Sequence, residues 1–335
     1  MQQRRLGQLA VPAVGFGAMV LSPGFYGPIT DADGTRALLD AVDAGSSFID
    51  TSDGYGRDAH NESLIGAAFV GRRDEVVIAG KFGFRMPPGA ARHEFDVTYA
   101  RLAVNNEPQH VRGYALASLA RLRTDHLDLY YPHFPDPCVP IEETVGAMAE
   151  LVAEGLVRHV GLSNVTAEQL ERAVAVHEIS AVQCEWSLWS PIDRDLLAVA
   201  DRHGVGIVAW SPLGGGLLTG SVTSLDATDF RNNFPRYAGS NLALNNDRFA
   251  PLKALAAELG LSSSQMALAW LLHQHPAVVP IPGSRNAAHI RDNASAAQVS
   301  LSDETLGRIG RTLESFQPEG STITTIPAAG TARPS

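Results

Sequence analysis

The stretch VRHVGLSNVTAEQLERAVAVHEISAVQCEW (157–186) reads as strand, helix, strand. Its two ends, VRHVGLSN (157–164) and AVQCEW (181–186), are short and rich in β-branched residues. Between them, Thr166 followed by Gln169 has the spacing of a capping box, in which each side chain satisfies the other's backbone N–H, and it opens a helix over 166–176. Two apolar strands joined through a helix imply parallel pairing, because a parallel pair needs a long crossover.

The same unit recurs along the chain. Further strand-like runs are VGFG (14–17), SFIDTS (47–52), EVVIAGKF (75–82), LDLYYPHF (127–134), VGIVAWS (205–211) and AVVPIPGS (277–284). Helical patterns lie near 31–44, 61–70, 108–122, 141–154, 191–203, 249–272 and 286–296. Thr30 or Asp31 caps the first helix, and Gly45 and Gly155 stop two of them. Eight βα units favour a closed parallel α/β barrel, a (β/α)8 TIM barrel, over an open doubly wound sheet. The expected organisation is one barrel domain over 1–316, with residues 1–12 as an N-terminal hairpin plugging its floor. Two long irregular βα loops, 85–107 and 218–248, and an extended or disordered tail over 317–335 complete it.

Composition narrows the function. The 335 residues are 45% hydrophobic and 19% charged, an ordinary globular balance. The net charge of −10 argues against nucleic acid as a partner. No run reaches the roughly 18 apolar residues of a membrane span, and the first residues lack the apolar core of a signal peptide, so a cytoplasmic protein with no membrane partner is expected. Cys138 and Cys184 make no disulfide framework, and no spaced Cys/His cluster suggests a metal. Lysine occurs only at 81 and 253 among 26 basic residues. A lysine kept where arginine is otherwise used suits a compact charge in a tight site.

In a barrel of this kind the C-terminal strand ends face the active site. Asp50, Tyr55, Lys81 and His133 arise from three consecutive strand ends and converge there. A free tyrosine, with a pKa of about 10, is a weak acid at neutral pH; an adjacent ammonium favours the phenolate and is expected to lower that value. Aspartate pairs with the lysine, and histidine donates to a carbonyl oxygen. The set moves a proton at oxygen and needs an external hydride donor. GFGAMV after the first strand lacks the last glycine of a Rossmann fingerprint. The phosphate-binding features lie instead in WSPLGGGLLTG (210–220) and IPGSRNAAHIRDN (281–293), where Ser284 and Arg285 precede a helix N-terminus and suit a 2′-phosphate.

Taken together, DTSDGYG (50–56), NESLIG (61–66), AGKFG (79–83), DHLDLYYPHFPD (125–136) and the segments above resemble the aldo-keto reductase superfamily, in family order over nearly the whole chain. VPIEETVGAMAELVAEGLVRHVGLS (139–163) is most similar to its perakine-reductase-like, auxin-induced-type branch of microbes and plants. The resemblance implies Tyr55 as general acid, Lys81 as its partner, Asp50 as the lysine's counter-ion and His133 as the carbonyl-orienting group. It implies Ser163, Asn164 and Gln183 at the nicotinamide carboxamide, and Trp210 stacked on the nicotinamide ring. Ser211, Pro212, Leu213, Gly214, Gly216 and Leu218 fall at the pyrophosphate, and Gly283, Ser284, Arg285, His289 and Asn293 toward the adenosine end. It also implies NADPH (NADP+) as cofactor, a small-molecule carbonyl as substrate and a carbonyl-to-alcohol reduction. Gly215 stands where many relatives have an arginine, so one phosphate contact is expected to be missing. His289 replaces an arginine that reads the 2′-phosphate, which keeps NADH possible. Phe25, Tyr26, Phe82, Phe84, Phe134 and Trp186 are candidates for an apolar cleft. Two competing readings are a nicotinamide-binding regulatory subunit with little turnover and a metal-dependent barrel hydrolase; the latter wants His/Asp ligands at the first strand end, where GFGAM offers none. The sequence carries no signal of oligomeric state.

Overall fold

The computed structural model describes residues 1–314 and 318–321. A hairpin of β1 (Gln3–Leu6) and β2 (Leu9–Pro12) comes first. The barrel strands are β3 (Phe16–Gly17), β4 (Phe48–Asp50), β5 (Val77–Phe82), β8 (Leu127–Pro132), β9 (Val157–Ser163), β10 (Ala181–Glu185), β11 (Gly206–Trp210) and β12 (Val278–Pro280). They lie side by side in that order, all parallel. The first and last close on each other through Gly15 N–H to Pro280 O at 2.9 Å and Gly17 N–H to Pro282 O at 3.4 Å. That seam requires glycine: a Cβ on Gly17 would sit 2.6 Å from Ile281 O, and one on Gly283 2.4 Å from Gly17 O.

Pleat parity sorts the side chains. Phe48, Ala79, Leu129, Tyr131, Ala181, Val208 and Val279 point inward and form one buried cluster with Leu6 and Val11 of the hairpin, which therefore plugs the barrel floor as expected. Ile49, Ile78, Tyr130, Leu162, Val182 and Ile207 point outward. They pack beneath α1 (Asp31–Asp43), α2 (His60–Ala68), α3 (Pro108–Leu122), α4 (Ile141–Ala153), α5 (Ala167–Val174), α6 (Arg194–His203) and α9 (Ala287–Ser295). Both halves of the capping box at Thr166 and Gln169 are present.

Three expectations need correction. The single helix over 249–272 is two, α7 (Asn241–Glu258) and α8 (Ser263–Gln274). The break falls at Gly260, whose φ of +70° ends one helix, and at a second capping box of Ser262 and Gln265. The loop 85–107 contains an antiparallel hairpin, β6 (His93–Val97) and β7 (Ala100–Val104), and 218–248 is built from short 3-10 turns and the start of α7. A last helix, α10 (Asp303–Glu314), was not read from the sequence because Gly307 and Gly310 interrupt its pattern. Of the expected tail over 317–335, residue 317 and residues 322–335 lie outside the described residues. Residues 318–321 fold back onto α7, where Asn245 exchanges two hydrogen bonds with the backbone of Glu319.

Candidate active site

The inward parity that buries Phe48, Ala79, Tyr131, Ala181 and Val208 also carries Asp50, Lys81, His133, Gln183 and Trp210, each two residues further toward the C-terminal end. A cavity of about 820 Å³ opens there. Asp50, Tyr55 and His133 lie on its wall; Lys81 sits just behind it, 1% exposed. The turn carrying Tyr55 is held from below by Asn61, which accepts the Thr51 hydroxyl at 2.7 Å and donates to Ala18 O at 2.8 Å.

All three N–H groups of Lys81 are used: one to Asp50 Oδ1, one to Thr51 O at 3.1 Å and one to Tyr55 Oη at 3.2 Å. That tetrahedral demand explains the lysine in an arginine-rich chain. Lys253, by contrast, donates to Gly220 O at the surface. Burial works against both charges of the pair, raising Asp50 and lowering Lys81, and each partner's charge pulls the other back. The expected fall in the Tyr55 pKa is not found. Burial, then the Asp50 carboxylate, hold its hydroxyl well above the usual tyrosine value, because the lysine's charge is largely answered by Asp50. Burial and the nearby Lys81 hold His133 well below the usual histidine value, so its ring is neutral.

The residues expected at the nicotinamide line the same wall but bond mostly to one another. Gln183 Nε2 donates to Asp50 Oδ2 at 2.7 Å. Asn164, at a φ of +57°, donates to His133 O at 2.9 Å and Ser163 Oγ at 3.1 Å and accepts the Trp210 indole N–H at 3.1 Å. Ser211, also left-handed with a φ of +51°, starts the glycine turn. Backbone strain at the ends of β9 and β11, on either side of β10, marks the rim as a place where geometry outranks local stability.

The glycine turn has three consecutive positive φ values, +55°, +64° and +103° at Gly214, Gly215 and Gly216, a run that glycine alone adopts readily. The three glycine N–H groups are used within the turn, donating to Ser211 O at 2.8 Å, Ser211 Oγ at 3.0 Å and Leu213 O at 2.9 Å. A Cβ at Gly215 would meet Tyr237 Oη at 2.3 Å, which explains why no arginine stands there. A cation arrives from the following loop instead. Arg231 Nη1 donates to Gly215 O at 2.7 Å, the guanidinium pairs in bidentate fashion with Asp229, and it lies 4.7 Å from the Tyr26 ring centre. Arg231 lines the cavity and was missed in the sequence, where nothing marks which of the many arginines folds onto the glycines.

Other expectations shift. Pro212, Leu213, Gly216, Gly283, Ser284 and His289 are on the cavity wall, whereas Gly214, Leu218 and Asn293 are not. Leu218 is buried in an apolar cluster with Trp189 and Phe249, and Gly214 backs onto the Trp189 indole. Arg285 lines the cavity, but its guanidinium donates to Val20 O, Pro28 O and Gly27 O at 2.6, 3.0 and 3.2 Å, bracing the loop after β3 rather than presenting a free fork. At the start of α9, Asn286 Oδ1 already accepts from Ala288 and His289 N–H.

Phe25, Tyr26, Phe84 and Phe134 line the cavity, joined by Tyr99, Phe230 and Phe234. Phe82 and Trp186 do not; both have outward parity and pack in the core. Edge-to-face contacts link Phe25, Phe230, Tyr99 and Phe234 on one side of Tyr55, and Phe84 and Phe134 surround His133 on the other.

The family model described as the aldo/keto reductase family matches residues 13–314. The chain is 36% identical over 327 residues to an aldo-keto reductase [NADP(+)] of Schizosaccharomyces pombe, covering 95% of this chain and 93% of that one. It is 38% identical over 331 residues to the aldo-keto reductase str7 of Strobilurus tenacellus, covering 95% and 93%. Among solved structures it resembles a glycerol dehydrogenase from Gluconobacter oxydans, with a TM-score of 0.80, 26% identity and 97% and 98% of the two chains covered. An aldo/keto reductase from Klebsiella pneumoniae in complex with NADP and acetate aligns with a TM-score of 0.69 and 26% identity, over 95% and 97%.

Proposed function

The chain belongs to the aldo/keto reductase family, and from that premise we propose that it reduces an uncharged, apolar aldehyde or ketone to the alcohol with NADPH, Tyr55 being the proton donor. The observation that carries the reading is the Lys81 ammonium bonded at once to Asp50 and Tyr55, with His133 beside them on a cavity wall. The Schizosaccharomyces relative is named with NADP(+), and the Klebsiella structure holds NADP, which supports the choice of cofactor. Gly215 and Gly216 on the cavity wall, with the Arg231 guanidinium against them, support a pyrophosphate placed along this turn. A bound reduced nicotinamide supplies the hydride.

The rest falls to the chain's own groups. His133 donates its N–H to the carbonyl oxygen and fixes its direction. Tyr55, holding its proton firmly at neutral pH, releases it only to an oxygen that is becoming an alkoxide, and the Lys81 ammonium 3.2 Å away stabilises the phenolate left behind. The aromatic walls exclude water and favour flat apolar substrates over polyhydroxylated ones. No helix among the described residues is long and apolar enough to cross a membrane.

The test is NADPH oxidation with a panel of aromatic and aliphatic carbonyls, in parallel with Tyr55→Phe. The variant is expected to lose about 10²- to 10⁴-fold in turnover while binding NADPH as before. Turnover retained in Tyr55→Phe removes the acid role; NADPH binding without oxidation of any carbonyl favours a regulatory subunit.

A further inference from the structure

We propose that Ser52 is a positioning residue that holds His133 in the tautomer with its proton on Nε2, so that the ring's one N–H is aimed into the cavity. Ser52 is fully buried at the end of β4, and its Oγ lies 2.8 Å from His133 Nδ1. A neutral imidazole carries one N–H, and the nitrogen that bears it is set by the bond the other one makes.

The bonds around Ser52 decide the direction. Its Oγ already accepts the Gly54 N–H at 3.0 Å. Its own hydrogen has two acceptors in reach: His133 Nδ1 at 2.8 Å and Asp53 Oδ1 at 3.4 Å. Donation to Nδ1 gives the short bond, leaves that nitrogen an acceptor and puts the proton on Nε2. The opposite tautomer would make Ser52 accept twice and send its hydrogen across the longer gap.

Among the described residues the ring's side-chain hydrogen bond runs through Nδ1, and the ring lies on the cavity wall. The ring plane is fixed as well: Phe134 stacks on it at 9° with centroids 5.5 Å apart, and Phe84 and Tyr55 meet it edge-on at 4.7 and 5.5 Å. Ser52 is buried behind the cavity wall rather than on it, so it acts through His133.

The tautomer belongs to the protein alone, whereas its kinetic consequence rests on the reductase reading above. The experiment is long-range proton–nitrogen NMR of histidine-labelled protein, with the His133 signals identified by their absence in His133→Asn. The wild type is expected to show Nδ1 as the unprotonated nitrogen and Nε2 as the protonated one. In Ser52→Ala the opposite tautomer appears. Turnover falls roughly tenfold, the effect of losing one well-aimed neutral hydrogen bond, cofactor affinity stays the same, and Ser52→Thr, which keeps the hydroxyl, recovers. A wild-type ring protonated on Nδ1 overturns the proposal even should Ser52→Ala not fold, and so does a Ser52→Ala protein with unchanged tautomer and turnover. A wild type that reduces no carbonyl while showing the Nε2–H form retires the reductase reading and leaves the tautomer assignment standing.

Discussion

Replacing Asp53 with asparagine should flatten the fall in stability as pH rises from about 5 to about 8. Asp53 is 1% exposed, and burial raises its carboxyl from an ordinary 3.8 to about 7, against the opposing pull of the Arg85 and Gly83 N–H groups bonded to it. The folded state therefore holds this proton more tightly than the unfolded chain. Its contribution is fully present below the unfolded pKa and is lost as pH rises through the folded one. Between about pH 5 and pH 8 the wild type should lose on the order of 2–3 kcal/mol from this group alone. Asparagine keeps an oxygen for the two backbone donors and never ionises. Urea unfolding followed by tryptophan fluorescence at both pH values reads the difference: the wild-type midpoint should drop more than that of Asp53→Asn. Parallel shifts in the two proteins would mean that Asp53 is ionised across the range and that its burial is answered by a group other than those named.

Two cofactor predictions follow from the arginines. Arg231→Ala should weaken NADPH and NADH alike, by about tenfold for a charge-assisted contact to a phosphate both share; fluorescence titration would read it, and a loss confined to NADPH would move Arg231 away from the pyrophosphate. Arg285→Ala should also weaken both cofactors, because its three carbonyl bonds brace the loop at 20–28. Selective loss of NADPH would show that the guanidinium leaves those carbonyls for the 2′-phosphate.

The barrel was legible because its strands are short apolar runs and its helices carry their caps in sequence; Thr166 and Gln169 are the plainest instance. The tetrad was legible for a related reason, since parity along a strand carries from Phe48 to Asp50 and from Tyr131 to His133. The same parity, applied strictly, excludes Phe82 and Trp186 from the cleft. The β6–β7 hairpin had a signal too, with Phe95 and Val97, then Leu102 and Val104, alternating with charged or small residues. Its Thr98–Tyr99 turn lacks the Asn-Gly or Asp-Gly signature that would have announced it. What no local pattern carries is the partner of a long charged side chain. Arg231 and Arg285 look alike in sequence; only the fold puts one against a glycine turn and folds the other back onto three carbonyls. Nor does sequence weigh burial against a neighbouring ammonium, which is why Tyr55 came out above its ordinary pKa rather than below it.

Tyr99, Phe230 and Phe234 of the aromatic walls hang from the β6–β7 hairpin and from 229–237, neither of which supplies a barrel strand. On that side of the cleft, chemistry and selectivity are thus carried by separate segments. A substitution at Tyr99 or Phe234 alters the shape of the cleft while the strand ends that hold the proton donor keep their register. Descendants of such a chain can explore new substrates by drift in two appendages, with the reaction itself left unchanged.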